Sequence, residues 1–186
     1  MENEPSVEIL QKALRKILAA IEGSGFKAVA IGGIAHQAWG SKMAPMGVDL
    51  LVTSGEAQRE SIRGAARGEG MQQIAGAGPM NFRFPDAKLG GSADVTLMES
   101  TTPYLAKVIE RAKPGIVLRM QMQTASLEDL ILLRATSPQP SDRESIIELL
   151  RGHAARIDPA YIKKEAEAAG IFDKVKSAWQ EAKSRG

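Results

Sequence analysis

The sequence predicts an α/β fold of the α+β kind, a mixed sheet flanked by helices and followed by a helical C-terminal part. Three observations carry that expectation. Short apolar runs of strand type, AVAI (28–31), VDLLV (48–52) and ADVTLM (93–98), alternate with stretches of helical periodicity. IVLRMQMQ (116–123) alternates apolar and polar positions, as a half-buried strand does. From Ser126 onward only helical patterns and helix caps are readable. The expected organisation is an α/β domain over 1–125 with a helical subdomain, 126–186, packed on it.

The elements follow in order. Residues 5–22 put Val7, Leu10, Leu14, Ile17, Leu18 and Ile21 on one helical stripe, with Ser6 as N-cap and Gly23 and Gly25 at the end. AVAIGGIA (28–35) begins as a buried strand and meets Gly32-Gly33, where a tight turn opens a helix through Trp39, closed by Gly40. VDLLVTS (48–54) reads as the next strand and 56–67 as a helix weakened by Gly64 and Gly68. Two short strands are expected near 71–74 and 81–84, with Gly76, Gly78 and Pro79 punctuating them. A strand over 93–98, a helix over 103–112 and the strand 116–123 complete the first part. Ser126 with Asp129, and Ser141 with Glu144, have capping-box spacing. Asp158-Pro159 is an N-cap followed by proline in the first turn, and Gly170 separates the last two helices.

Composition excludes several function classes. The chain has 186 residues, 44% of them hydrophobic, enough to bury a core. A net charge of +2 is too mild for a nucleic-acid binder that relies on a basic face, and Lys163-Lys164 among Glu165 and Glu167 reads as a solvated helix face. The absence of cysteine removes disulfides, thiol nucleophiles and thiolate zinc sites, and two histidines argue against a histidine-based one. The acidic, amphipathic N-terminus is unlike a secretory signal, and no apolar run approaches the ~20 residues of a membrane span. A cytoplasmic protein is the simplest reading.

Chemistry gathers at a strand running into Gly32-Gly33 and a later strand bearing Asp49. Glycines allow backbone to approach phosphates closely. Magnesium takes oxygen ligands and keeps substrate phosphates in its shell. Residues i and i+2 of a strand share a face, so an Asp-x-Asp pair aims two carboxylates at one ion site, and a third on a neighbouring strand completes a two-metal clamp.

AIGGIAHQAWGSKMAPMGVDLLV resembles the motif of the nucleotidyltransferase superfamily of DNA polymerase beta type, and is most similar to bacterial nucleotidyltransferases of the AbiEii toxin type. There Gly-Gly or Gly-Ser precedes Asp-x-Asp by about a dozen residues; Gly32, Gly33 and Asp49 match, and Asp94 matches the third acidic position. Arg134 and Asp142 stand at the eight-residue spacing of the family's helix pair. The resemblance implies a nucleotidyltransferase-type sheet and a nucleoside triphosphate (NTP) held by the Gly32 and Gly33 amides. It implies Mg2+ on Asp49 and Asp94 as catalytic residues, with Arg134 neutralising phosphate charge. It further implies transfer of a nucleoside monophosphate to an RNA or protein acceptor, and an antitoxin-like protein partner.

The departures matter equally. Gly47 stands where the family carries the first Asp, Met43 and Pro45 where it carries Arg and Thr, and Gln139 and Ser141 where basic residues are usual. Loss of the first carboxylate removes a ligand from both ions and several kcal/mol of transition-state stabilisation, about a thousandfold in rate or more. Three readings therefore stay open: a nucleotidyltransferase, a non-catalytic descendant binding a nucleotide or protein through the same cleft, and an unrelated α+β domain. Bland roles stand beside the sharp ones. His36 reads as a helix-surface or packing residue, Trp39 as packing its helix on the sheet, and Arg134 equally as half of an interhelical salt bridge. Asp142 reads as a first-turn acid and the methionines as core filling. Glu56, Asp86 and Glu99 are further carboxylates without a spacing argument.

Overall fold

The computed structural model describes residues 5–53, 55–76, 78–137 and 140–185. Helix α1 (Val7–Glu22) starts where Ser6 Oγ accepts the Ile9 amide at 3.3 Å, and it buries Leu10, Leu14, Ile17 and Ile21 of the expected stripe, leaving Leu18 half-buried and Val7 exposed. Strand β1 (Ala28–Ala30) leads into the short helix α2 (Gly32–Ala38), and Gly40, at φ +93°, turns the chain away. Strand β2 (Gly47–Val52) and helix α3 (Glu56–Gly68) follow as expected, one or two residues adrift at their ends; Ser54 lies outside the described residues.

Strands β3 (Gln72–Ile74), β4 (Met80–Asp86) and β5 (Gly91–Glu99) come next, then helix α4 (Pro103–Glu110). The expected strand over 116–123 is instead a hairpin. Strand β6 (Lys113–Val117) and strand β7 (Met120–Thr124) pair antiparallel around Leu118 and Arg119, at φ 46° and 64°. Two positive-φ residues match a type I′ turn, normally built from Asn and Gly. Val117 and Leu118 are both buried, so core packing holds the turn that local propensity opposes.

The seven strands form one mixed sheet in the order β3-β4-β5-β2-β1-β7-β6. Helices α1 and α3 contact each other, and α1 covers β2 and β5 on one face. On the other side α2 packs on β2 and β6, with the C-terminal helices beyond it. Helix α5 (Leu127–Thr136) is their centre, contacting α2, α6 (Pro140–His153), α7 (Pro159–Ala168) and α8 (Phe172–Ser184). It lacks an amphipathic stripe and is buried nearly all round, as a central helix must be. The cap at Ser126 forms as expected, and Asp158 accepts the Ala160 and Tyr161 amides. Because α6 already begins at Pro140, Ser141 lies within its first turn rather than at the expected N-cap.

Asp129, fully buried on α5, anchors this part. Its carboxylate accepts hydrogen bonds from Ser126 Oγ (2.8 Å), Tyr161 Oη (2.7 Å) and Arg111 Nε (3.1 Å), and the Arg111 guanidinium lies 3.7 Å over the Tyr161 ring. These contacts fix the end of α4 and the start of α7 against α5.

Candidate active site

The site lies on the sheet face opposite α1, where β2 and β5 run parallel. Their register sets Gly47 beside Asp94 and Asp49 beside Thr96. Side chains alternate along a strand, so Asp49, Asp94 and Thr96 share one face. Strand spacing and rise put the Asp49 and Asp94 Cα atoms about 8 Å apart on the diagonal.

Asp49 is turned inward. Its carboxylate accepts the Gly33 N–H and the Thr96 hydroxyl and lies near Arg134, yet burial prevails and pushes its carboxyl above the usual carboxylate range. Gly32 makes this approach feasible. It sits at φ +60°, and a Cβ there would lie 2.3 Å from Asp49 Oδ2. The Ile31 amide donates to the Asp49 carbonyl at 3.0 Å and locks the turn onto β2.

Asp94 is brought to the same face but is clasped by an arginine. Arg83, its register partner on β4, donates Nε–H to Oδ1 (2.7 Å) and a terminal N–H to Oδ2 (3.0 Å). Arg134, on α5, reaches the site from the helical part and bonds Asp142 of α6, giving the interhelical bridge. Its Nε–H is buried and has no hydrogen-bond partner among the described residues.

Gly47 leaves no side chain where a carboxylate was sought. A Cβ there would stand 2.9 Å from the Asp94 carbonyl oxygen, so the two strands approach too closely for an unshifted side chain. The other carboxylates do not substitute. Glu99 alternates to the opposite face and pairs with Arg59 (2.6 Å), and Asp86 pairs with Lys12 (2.9 Å). Glu56 opens α3. Among the described residues no group of three or more histidines, cysteines or carboxylates is placed to hold a metal ion. A two-metal clamp therefore does not fit this donor set: one position lacks a ligand, one carboxylate is bonded inward and one is engaged by Arg83.

His36 is not on a helix surface. It is buried at 2% exposure behind Gly33, and burial lowers its imidazole pKa below the ordinary 6.5, with Glu148 opposing and Arg134 assisting. Trp39 packs as expected and donates Nε1–H to the Ala125 carbonyl (2.9 Å). Met43 and Met46 are exposed rather than core-filling, and they border a smaller cavity with Gly47 and Asp49. Gln139 lies outside the described residues.

Between the sheet face and helices α4 and α5 is a cavity of about 390 Å3, within the size range of small-ligand pockets. The sheet side contributes Ile31, Asp49, Thr96 and Met98; the helices contribute Tyr104, Leu105, Leu130, Leu133 and Arg134. Sequence reasoning missed Arg83, Thr96 and the apolar helix wall. Arg83 was findable from the hairpin register of β4 and β5; Tyr104 and Leu105 carried no local signal.

A mixed sheet with a Gly-Gly turn beside the strand bearing Asp49, closed by a helical part, is the arrangement that the resemblance to nucleotidyltransferases led us to expect. The chain belongs to the family described as Nucleotidyl transferase of unknown function (DUF2204), whose model matches residues 10–176. No curated protein matches the sequence. Among solved structures, the chain is similar to an antigenic nucleotidyltransferase-like protein from Paracoccidioides brasiliensis, at 11% identity and TM-score 0.55, over 91% of this chain and 92% of that one. It is also similar to the lincosamide antibiotic adenylyltransferase LnuA, solved with lincomycin, at 12% identity and TM-score 0.52, over 76% of this chain and 96% of that one. At these identities the likeness shows the fold. Among the described residues no helix is long and apolar enough to cross a membrane.

Proposed function

We propose that this protein is a nucleotidyltransferase-family member that binds a nucleotide-derived ligand in the Asp49–Arg134 cleft without efficient nucleotidyl transfer. The observation that carries this reading is the fate of the three carboxylate positions: glycine at 47, Asp49 bonded inward to the Gly33 amide, and Asp94 clasped by Arg83. Transfer requires charge stabilisation at both the attacking and the leaving oxygen, and these residues do not supply a paired clamp for it. The cavity beside Asp49, about 390 Å3, supports the binding half of this reading, since it is of the size that takes a small ligand.

A second reading, transfer of a nucleoside monophosphate from an NTP to an RNA or protein hydroxyl with release of pyrophosphate, is favoured by one observation. The Arg83–Asp94 pair is half exposed, at 44% and 51%, and surface pairs contribute only about 0–1 kcal/mol. Breaking that pair is therefore cheap, and Asp94 with Asp49 would be the residues to hold a single Mg2+.

The experiment is magnesium-dependent transfer of label from each of the four α-labelled triphosphates to cell RNA and protein. The native chain runs beside Asp49→Asn, and manganese binding is followed in parallel. The expected result is no transfer and no saturable manganese site. Label transferred by the native chain and abolished by Asp49→Asn overturns the first reading in favour of the second.

A further inference from the structure

We propose that the cavity beside Asp49 takes an uncharged, planar heterocycle of nucleoside size, entering base first, and discriminates against the triphosphate form. The inference rests on the binding reading above and names its ligand class. Its grounds are the walls, the charge and the hydrogen-bonding groups of the cavity.

The walls are apolar. Ile31 and Met98 face Leu105, Leu130 and Leu133 across the cavity, and the Tyr104 ring lines the same space. Such surfaces suit a flat ring system and give a phosphate chain nothing to bond. The polar residues lining it are Asp49, Thr96, Arg134, Thr136, Ser137 and Asp142, beside the Tyr104 ring. Arg134 is the one basic side chain lining the cavity among the described residues, and Asp142 already engages it. Two carboxylates against one guanidinium give the cavity lining a net negative charge, which repels a polyanion in the absence of metal.

The same groups match a nucleobase edge. The Asp49 carboxylate has acceptor capacity beyond its bonds from Gly33 and Thr96. The Arg134 guanidinium lines the cavity and carries N–H donors beyond the one that Asp142 accepts. A base presents a donor beside an acceptor, such as an exocyclic amino group next to a ring nitrogen. The donor serves Asp49 and the acceptor serves Arg134.

The test is calorimetric titration of the full chain, without magnesium, with adenosine, guanosine and their 5′-triphosphates. At least one nucleoside is expected to bind roughly tenfold or more tightly than its own triphosphate. Leu105→Trp, which fills the cavity from α4, is expected to abolish nucleoside binding with an unchanged melting temperature. Asp49→Asn is expected to narrow the gap by improving the triphosphate. Triphosphates binding as well as or better than nucleosides, silence from both nucleosides, or nucleoside binding untouched by Leu105→Trp each overturns the proposal. Transfer activity in the labelling assay would overturn the preceding reading instead, and leaves this magnesium-free comparison standing on its own.

Discussion

At Gly47 the backbone, and not only the missing side chain, has adapted. A Cβ there would press on the Asp94 carbonyl at 2.9 Å, so reinstating aspartate means moving β2 relative to β5. Gly47→Asp is expected to lose about 1–3 kcal/mol in urea denaturation, as overpacking does, and to gain no transfer activity. Asp49 makes a prediction of opposite sign. Its folded pKa is raised by burial, so between its ordinary and raised values the native state holds a proton that the unfolded chain has released. Stability then falls as pH rises through that window, and at neutral pH the native chain carries the cost of a desolvated carboxylate. Asp49→Asn should be more stable than the native chain at pH 7 and lose that advantage as pH falls below the carboxylate range. Melting curves across pH check this. His36 works the other way: its pKa is lowered by burial, so stability is lost as pH drops below about 6.5, where the unfolded chain takes up the proton first. A His36→Gln chain should show a flatter acid limb in the same melts.

Among the elements, α5 couples the sheet to the helices through Asp129, and the cavity depends on it. Its partners Arg111 and Tyr161 set α4 and α7, and α4 carries Tyr104 and Leu105 into the cavity wall. Asp129→Ala leaves a guanidinium and a buried hydroxyl short of their acceptor, and is expected to cost about 3–5 kcal/mol by urea denaturation. Most elements were legible because their signals are local: the caps at Ser6, Ser126 and Asp158, the glycines at 40 and 170, and the apolar runs of β2 and β5. The β6–β7 hairpin was not legible, since Leu118-Arg119 carries no turn residue and no Gly, Pro, Asn or Asp interrupts residues 116–123. Tertiary burial of Val117 and Leu118 decides that turn.

In the whole molecule, the site was half legible. Gly32, Gly33, Asp49 and Asp94 do meet on one region of the sheet, because strand alternation and spacing determine that much. What engages them, Arg83 from β4 and Arg134 with Asp142 from the helices, depends on register and on packing between distant segments. The core also runs without a break from α1 through the sheet to α8. A chain ending at residue 125 would uncover the face of α2 that α5 covers, and is expected to show no cooperative thermal transition by circular dichroism.

The strand order has a consequence for the chain while it is being made. Strand β1 lies between β2 and β7, and its contact with β7 joins Ala30 to Thr124, 94 residues apart. At translation rates of about 5–20 residues per second, the β7 side of β1 waits roughly 5–20 s for its neighbour. During that interval Val29 and Ala30, nearly solvent-free in the finished fold, border an open sheet edge on the emerging polypeptide. A holdase-type chaperone on the ribosome would meet this protein at that edge.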